Sequence, residues 1–357
     1  MKPRTLVKNT LNRVLGLFDA HVIGQWELEK SQSEVKSLRQ KLAKFLPVEG
    51  PSFSPGLLPQ GAEDYLRLDN PFLAELRSRY RGLNCPAVCH SLWTDLHTSL
   101  IDLRYFRGDN SFVWQYQDQN TEVNYLLVAC YLKAIDTLSL FGCLQEDGLF
   151  GAYTFQFDDN LLLSRDLLDS VSEITFLEEN MRISRTQNLK VLDIGAGYGR
   201  FAHRLIVSLP LTEKVICTDA VAESTFLCEY YLRFRGVTEK AQVVPLDEIE
   251  NVLDQNEIHL AVNIHSFSES TLASVCWWLD LLSERRVPYL FVVPNADEHG
   301  GTRLLTREPA GIESQDFMPA ILSRGYRLAK KRAKYSVPGV QRCGASPTHY
   351  YLFEFKA

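Results

Sequence analysis

The chain has 357 residues, 45% of them hydrophobic, with 38 Lys and Arg against 44 Asp and Glu, for a net charge of −6. That length predicts two domains, or one with a large addition, around a real core. The acidic balance argues against a partner gripped through its phosphates, such as a nucleic acid, and no apolar run approaches the ~20 residues that span a bilayer.

Residues 1–46 read as an amphipathic helical arm. Leu11, Leu15, Phe18 and Val22, then Val35, Leu38, Leu42 and Phe45, recur at three- and four-residue steps among charged side chains. The arm is expected to pack on its own body or join two copies into a homo-oligomer. Peripheral contact with a membrane surface, through Lys2, Arg4, Lys8 and Arg13, is the second reading. No apolar stretch with a cleavage site follows the first lysines, so no secretory signal is read. The eight cysteines are scattered, and Cys130, Cys217, Cys228 and Cys276 sit in apolar patterns. They read as reduced core residues of a cytoplasmic protein, which could work at the inner face of the membrane. Cys85, Cys89 and His90 resemble half a metal site without a second pair.

Residues 47–61, rich in Pro and Gly, read as a linker. Residues 62–160 then read as a mainly helical acceptor or lid domain. Helices are expected over 65–80, 92–105 and 122–140, the last apolar almost all round and therefore buried. Between the second and third, Arg104, Arg107, Asp109, Asn110 and Trp114 mix aromatic, charged and amide groups around Gly108. Aromatic faces and bidentate donors suit a sugar ring, so these five are the candidate substrate residues. The alternative is a structural loop tied by an Arg–Asp pair. A small strand is expected over 151–157. Ser164 then caps a helix whose Asp166, Asp169, Glu173 and Glu178 are read as a solvated face, or as partners of Arg165, Arg182 or Arg185; the alternative is that they reach an amine-bearing ligand or the substrate beyond the sheet that follows.

Residues 161–357 read as a further, ligand-binding domain, in which strand and helix patterns alternate from residue 189 on, as in a parallel sheet covered on both faces. The organising stretch is Lys190–Ala202: a buried strand, then Gly195, Gly197 and Gly199 at alternate positions, then a helix from Tyr198 to Leu209. Glycines at such a turn let a ligand approach the backbone, and the helix start offers free N–H groups. Asp193 stands two residues before the first glycine, and a carboxylate suits a cationic or amine-bearing ligand better than a pyrophosphate. A dinucleotide turn would be spaced G-x-G-x-x-G instead. Asp193-x-Gly195-x-Gly197-x-Gly199 resembles the first motif of the class I methyltransferases, which bind S-adenosylmethionine (AdoMet).

Further strands are expected over 214–219, 241–244, 259–264 and 289–293, with 327–335 and 349–355 a hairpin-like pair closing the sheet. Ligands in such sheets bind beyond the carboxyl ends of the strands. Asp219, at one such end, is placed to hold a ribose, with Ala220 beside it. In the methyltransferase pattern Asp247 meets the adenine. The cofactor-binding set is therefore Asp193, Gly195, Ala196, Gly197, Gly199, Asp219, Ala220, Asp247 and Asn263. After the fourth sheet strand comes Asn263-Ile-His-Ser-Phe-Ser-Glu269. An alcohol needs its proton removed to accept a methyl group, and His265 fits a base whose pKa lies near neutrality. The alternative reads Ser266-x-x-Glu269 as a capping box. Glu269, and His299 after the fifth strand, complete the catalytic candidates. A divalent metal near Asp297 and His299 is disfavoured, for want of an acid cluster. Lys330–Lys334 reads as a solvated sheet edge.

Three stretches narrow the resemblance: Asn263–Glu269, Phe106-Arg-Gly-Asp-Asn110 and Arg165-Asp-Leu-Leu-Asp-Ser170. Over roughly residues 70–357 the chain resembles the bacterial sugar O-methyltransferases, although Ser270 stands where a larger apolar residue is expected. The resemblance implies a Rossmann-like α/β sheet, mostly parallel with an antiparallel last strand, behind a mainly helical N-terminal region. It also implies AdoMet as cofactor and a hydroxyl acceptor on a glycan or on a lipid- or nucleotide-linked sugar, as in polysaccharide biosynthesis. A small-molecule methyltransferase and a non-catalytic AdoMet-binding subunit are the alternatives.

Overall fold

A computed structural model describes residues 57–88, 92–99, 101–108, 121–158, 161–297 and 299–356. The chain divides into two compact units, Met1–Ser54 and Pro55–Ala357. The expected N-terminal arm and most of the expected linker lie outside the described residues, as do Cys89 and His90.

Local sequence sets the first long helix, α1 (Pro71–Arg81). Asn70 caps it, its side chain accepting the Phe72 N–H at 2.9 Å, and proline fills the first helical position. The helix expected over 65–80 is therefore split, with a short turn at Ala62–Tyr65 before the cap. The helix expected over 92–105 shrinks to Asp95–Thr98. Instead, residues 105–108 dock against 150–151: the Arg107 N–H bonds the Phe150 carbonyl at 3.1 Å. Helix α2 (Thr121–Ile135) was expected to be buried all round, but it packs through one side only. Tyr125, Val128 and Leu132 are buried, whereas Val123, Leu126 and Leu127 are exposed.

Strands β1 (Thr154–Asp158) and β2 (Leu161–Ser164) form a small antiparallel sheet. Ser164 ends β2 and caps α3 (Arg165–Met181), accepting the Leu167 N–H at 3.0 Å. The acids of α3 do not form a solvated face: Asp166, Asp169 and Glu173 are all buried.

The central sheet has seven strands: β3 (Leu189–Ile194), β4 (Thr212–Thr218), β5 (Ala241–Val243), β6 (Leu260–Ile264), β7 (Tyr289–Val293), β8 (Tyr326–Ala333) and β9 (His349–Phe355), in the order β5-β4-β3-β6-β7-β9-β8. The first five are parallel, and β9 runs antiparallel to both its neighbours. Val191, Leu192, Ala261, Val262, Leu290 and Phe291 are fully buried, as in a sheet covered on both faces. The connecting helices include α4 (Arg200–Ser208), α5 (Ala222–Phe234) and α6 (Leu272–Glu284). This is the expected Rossmann-like α/β fold, with helices preceding it. The expected hairpin-like pair closes the sheet, with β9 lying between β7 and β8. Helix α1 belongs to the same unit: Arg77 bonds Glu223 at 2.8 Å and the Tyr80 hydroxyl meets Thr225 at 2.8 Å, both on α5. Among the described residues, no helix is long and apolar enough to cross a membrane.

Candidate functional site

Past the carboxyl ends of β3, β4, β6 and β7 lies a cavity of about 990 Å³. Its floor is the glycine turn. Gly195, Gly197 and Gly199 have φ of +71°, +57° and +86°, a region that side chains disfavour. A Cβ on Gly195 would stand 2.2 Å from Ser266 Oγ, whereas one on Gly197 would meet nothing within 4 Å. Gly195 thus permits close packing with the turn after β6, and Gly197 leaves bare backbone facing the cavity. Gly199 does not line the cavity; it packs on Cys228 and Leu232 of α5.

Two carboxylates face this turn. Asp219, just beyond β4, accepts the Gly197 N–H at 3.0 Å on one oxygen and the Val221 N–H at 2.9 Å on the other. Asp193, on β3, is 2% exposed, and its Oδ2 has no partner among the described residues. Burial pushes both carboxyls up to about 7. A buried carboxylate short of partners is stabilised by a cation, so the corner fits a ligand with a positive group.

The sequence placed Ala196 and Ala220 at this corner, and both line the cavity. Asn263 does not. It is fully buried and ties the tip of β3 to the next turn, donating to the Ile194 carbonyl at 3.0 Å and accepting the Phe267 N–H at 2.8 Å. Nor does Asp247 line it, because Arg79 of α1 holds its carboxylate at 2.8–3.0 Å.

His265 lines the cavity with φ +70° and ψ −36°, a strained backbone for a residue with a side chain. Its ring Nδ1 is buried without a partner among the described residues. Burial, then the Arg165 charge, press its pKa down to about 3, with Arg200 and Lys334 adding to the effect. The ring is therefore neutral across the physiological range. The alternative of a capping box fails here. Residues Ser266–Glu269 form a short 3-10 turn with no side-chain cap, and Glu269 reaches elsewhere. Its carboxylate accepts Trp93 Nε1 at 2.9 Å and Asn295 Nδ2 at 3.2 Å, tying three segments together over the cavity. His299 does not line the cavity; its ring lies 4.0 Å from Asp297. Among the described residues, no group of three His, Cys, Asp or Glu is placed to hold a metal ion.

The expected substrate loop divides. Arg104 pairs with Asp102 at 3.0 Å on the surface, outside the cavity lining. Arg107 is fully buried between Glu146 (2.6 Å) and Asp166 (3.0 Å), so its guanidinium is part of the protein's interior. Asp109, Asn110 and Trp114 lie outside the described residues.

No family model matches the chain, and no curated protein matches it. Solved structures do. An S-adenosylmethionine-dependent methyltransferase from Clostridium acetobutylicum ATCC 824 is 12% identical over 53% of this chain and 91% of that one, with a TM-score of 0.37. A SAM-dependent methyltransferase from Aquifex aeolicus is 17% identical over 52% and 89%, with a TM-score of 0.37. The cyclase SpnF is 14% identical over 67% and 95%, with a TM-score of 0.38. Neither ligand nor reaction follows from likenesses at this level.

The remaining wall adds Arg200, Trp93 and Trp278, which the sequence did not single out, to Asp166 and Asp169 of α3, which it read differently. Arg200, first residue of α4, is held by both oxygens of Glu173 at 2.8–2.9 Å. Asp169 takes Lys334 at 2.5 Å and Arg165 at 3.3 Å. Lys334, expected on a solvated edge, is 3% exposed, while Lys330 and Lys331 on β8 are exposed as expected. The turn after β8 carries the chain off the sheet edge, and the lysine follows it inward to a carboxylate. Trp93 and Trp278 add two indoles to the lining. Arg165–Asp169 is one of the expected helix pairs, four residues apart; no spacing rule could have found the others, since their partners lie far away in sequence.

Proposed function

We propose that this chain is an AdoMet-dependent methyltransferase that acts on a hydroxyl of a saccharide. The observation that carries the reading is the pair of buried carboxylates, Asp193 and Asp219, on neighbouring strand ends across a turn whose glycine backbone is bare. AdoMet supplies an α-ammonium and a sulfonium whose methyl group is open to nucleophilic attack. Asp193 Oδ2 would accept from the ammonium, and Asp219 would accept from the ribose hydroxyls. Gly197 leaves room for the ligand. At about 990 Å³ the cavity lies at the upper end of the ~300–1,000 Å³ typical of ligand sites, enough for a cofactor beside an acceptor.

His265 takes the acceptor's proton as its oxygen attacks. Kept neutral, its ring is in the form that can accept a proton, although its low pKa makes it a weak base by itself. The positive groups that depress it, Arg165, Arg200 and Lys334, also favour an oxygen gaining negative charge, so they share in activating the hydroxyl. Glu269 acts by holding Trp93 and Asn295 in place. The indoles of Trp93 and Trp278 and the polar groups beside them support a sugar as the acceptor.

Two measurements test the reading. Calorimetry with AdoMet and its demethylated product, S-adenosylhomocysteine, tests the cofactor. Labelled AdoMet with panels of sugars, catechols and amines tests the acceptor. Methylation of a catechol or amine but of no sugar removes the saccharide assignment. Binding without any transfer favours a non-catalytic subunit.

A further inference from the structure

The connection between β8 and β9 was expected only to close the sheet, yet it reaches the cavity. Ser346 and Thr348 line it. The loop is held from several sides. Lys334 Nζ donates to the Ser346 carbonyl at 3.2 Å, the Tyr335 hydroxyl to the Ala345 carbonyl at 2.5 Å, and Thr348 Oγ1 to the Pro294 carbonyl at 2.8 Å. Gly344 fits so closely that a Cβ there would meet the Val340 carbonyl oxygen at 2.5 Å. Within this fixed frame Ser346 has φ +47°, a left-handed conformation seldom taken by serine. Its Oγ is buried and has no partner among the described residues.

A buried hydroxyl without a partner is unfavourable, and holding it on a strained backbone adds to the cost. Both are tolerated where the group serves a ligand. Facing the same cavity, His265 repeats the combination of positive φ and a buried, unpartnered ring nitrogen. The Lys334 ammonium that fixes Ser346 is also among the charges acting on His265.

We propose that Ser346 binds the acceptor, its hydroxyl and His265 Nδ1 receiving two neighbouring hydroxyls of a sugar ring. This rests on the proposed methyl transfer to a saccharide. His265 Nδ1 accepts from the hydroxyl that will carry the methyl, and Ser346 Oγ pairs with the adjacent one. Ser346 thereby sets which hydroxyl faces the methyl donor, while the proton passes to His265.

The test compares full-length Ser346→Ala and Ser346→Gly with the parent. Three readouts are taken: thermal midpoint, S-adenosylhomocysteine affinity by calorimetry, and methyl transfer to methyl α-D-glucopyranoside, methyl α-D-mannopyranoside and UDP-glucose. The expected result is unchanged product affinity and a midpoint equal to or above the parent's, higher for glycine because it relieves the backbone. The kcat/KM for the accepted sugar should fall about tenfold, the size of one lost hydrogen bond, or a second hydroxyl should become methylated. Transfer at the parent's rate and position overturns the proposal. So does a lowered midpoint in Ser346→Ala, which would mean the hydroxyl has an internal partner. If product binds but no sugar is methylated, the saccharide reading fails and this inference with it. If product does not bind the parent, the cofactor reading has failed first.

Discussion

Asp193→Asn should make the protein more stable at alkaline pH while weakening its ligand. The native Asp193 carboxyl is raised to about 7 from an ordinary value of 3.8. The cause is burial first, opposed by Arg200 and reinforced by Glu173 and Asp219. A raised carboxyl means that the folded state holds the proton more tightly than the unfolded chain does. The resulting stability is fully present below the unfolded pKa and is lost as pH rises through about 7. Asparagine has nearly the same shape and no such titration. At roughly 1.4 kcal/mol per pH unit, the parent should lose about 2 kcal/mol relative to Asp193→Asn between pH 5.5 and pH 8.5. Measuring the difference between two pH values cancels whatever the amide costs or gains in local packing. Asp219, raised in the same sense, is present in both proteins and largely cancels too. Urea denaturation followed by tryptophan fluorescence at the two pH values reads the change. A parent–variant gap that stays constant with pH would refute the idea that Asp193 is a buried acid awaiting a cation. In the same protein, affinity for S-adenosylhomocysteine should fall by roughly ten- to a hundredfold at pH 8, the worth of a charge-assisted hydrogen bond.

In the parent, affinity for that product should fall as pH drops below about 7, as calorimetry across pH 5.5–8.5 would detect, because Asp193 must shed its proton to hold the ammonium and Asp219 to accept from the ribose hydroxyls. Gly195→Ala should abolish ligand binding and lower the thermal midpoint, since its Cβ would stand 2.2 Å from Ser266 Oγ. Gly197→Ala meets nothing within 4 Å, so its stability cost should be only the left-handed strain, about 1–2 kcal/mol, with most of the damage falling on binding. Lys334→Met should destabilise by about 3–5 kcal/mol in denaturant titration, because it strips the main partner from the buried Asp169. His265→Ala should abolish transfer but not product binding; unchanged turnover would remove His265 as the base.

What the sequence by itself determined was whatever depends on neighbours along the chain. The glycine turn, the alternation of strands and helices and the Ser164 cap are local properties, written in φ requirements, periodicity and hydrogen-bond chemistry. They were enough for the fold class and for the corner formed by Asp193, Gly195, Gly197 and Asp219. Charge pairing across the fold was not legible. Nothing near Asp247 in sequence shows that Arg79 of α1 pairs with it, and nothing near Arg107 shows that Glu146 and Asp166 enclose its guanidinium. Lys334 was one lysine in a basic run, and only the turn after β8 carries it inside to Asp169. The far wall of the cavity is likewise a product of tertiary structure. Trp93, Trp278 and Ser346 come from segments up to about 250 residues apart, and each is harmless polarity or bulk in its own sequence window. An ionised group is bound by the nearest opposite charge in space, and distance in space is fixed only once the sheet has ordered its strands.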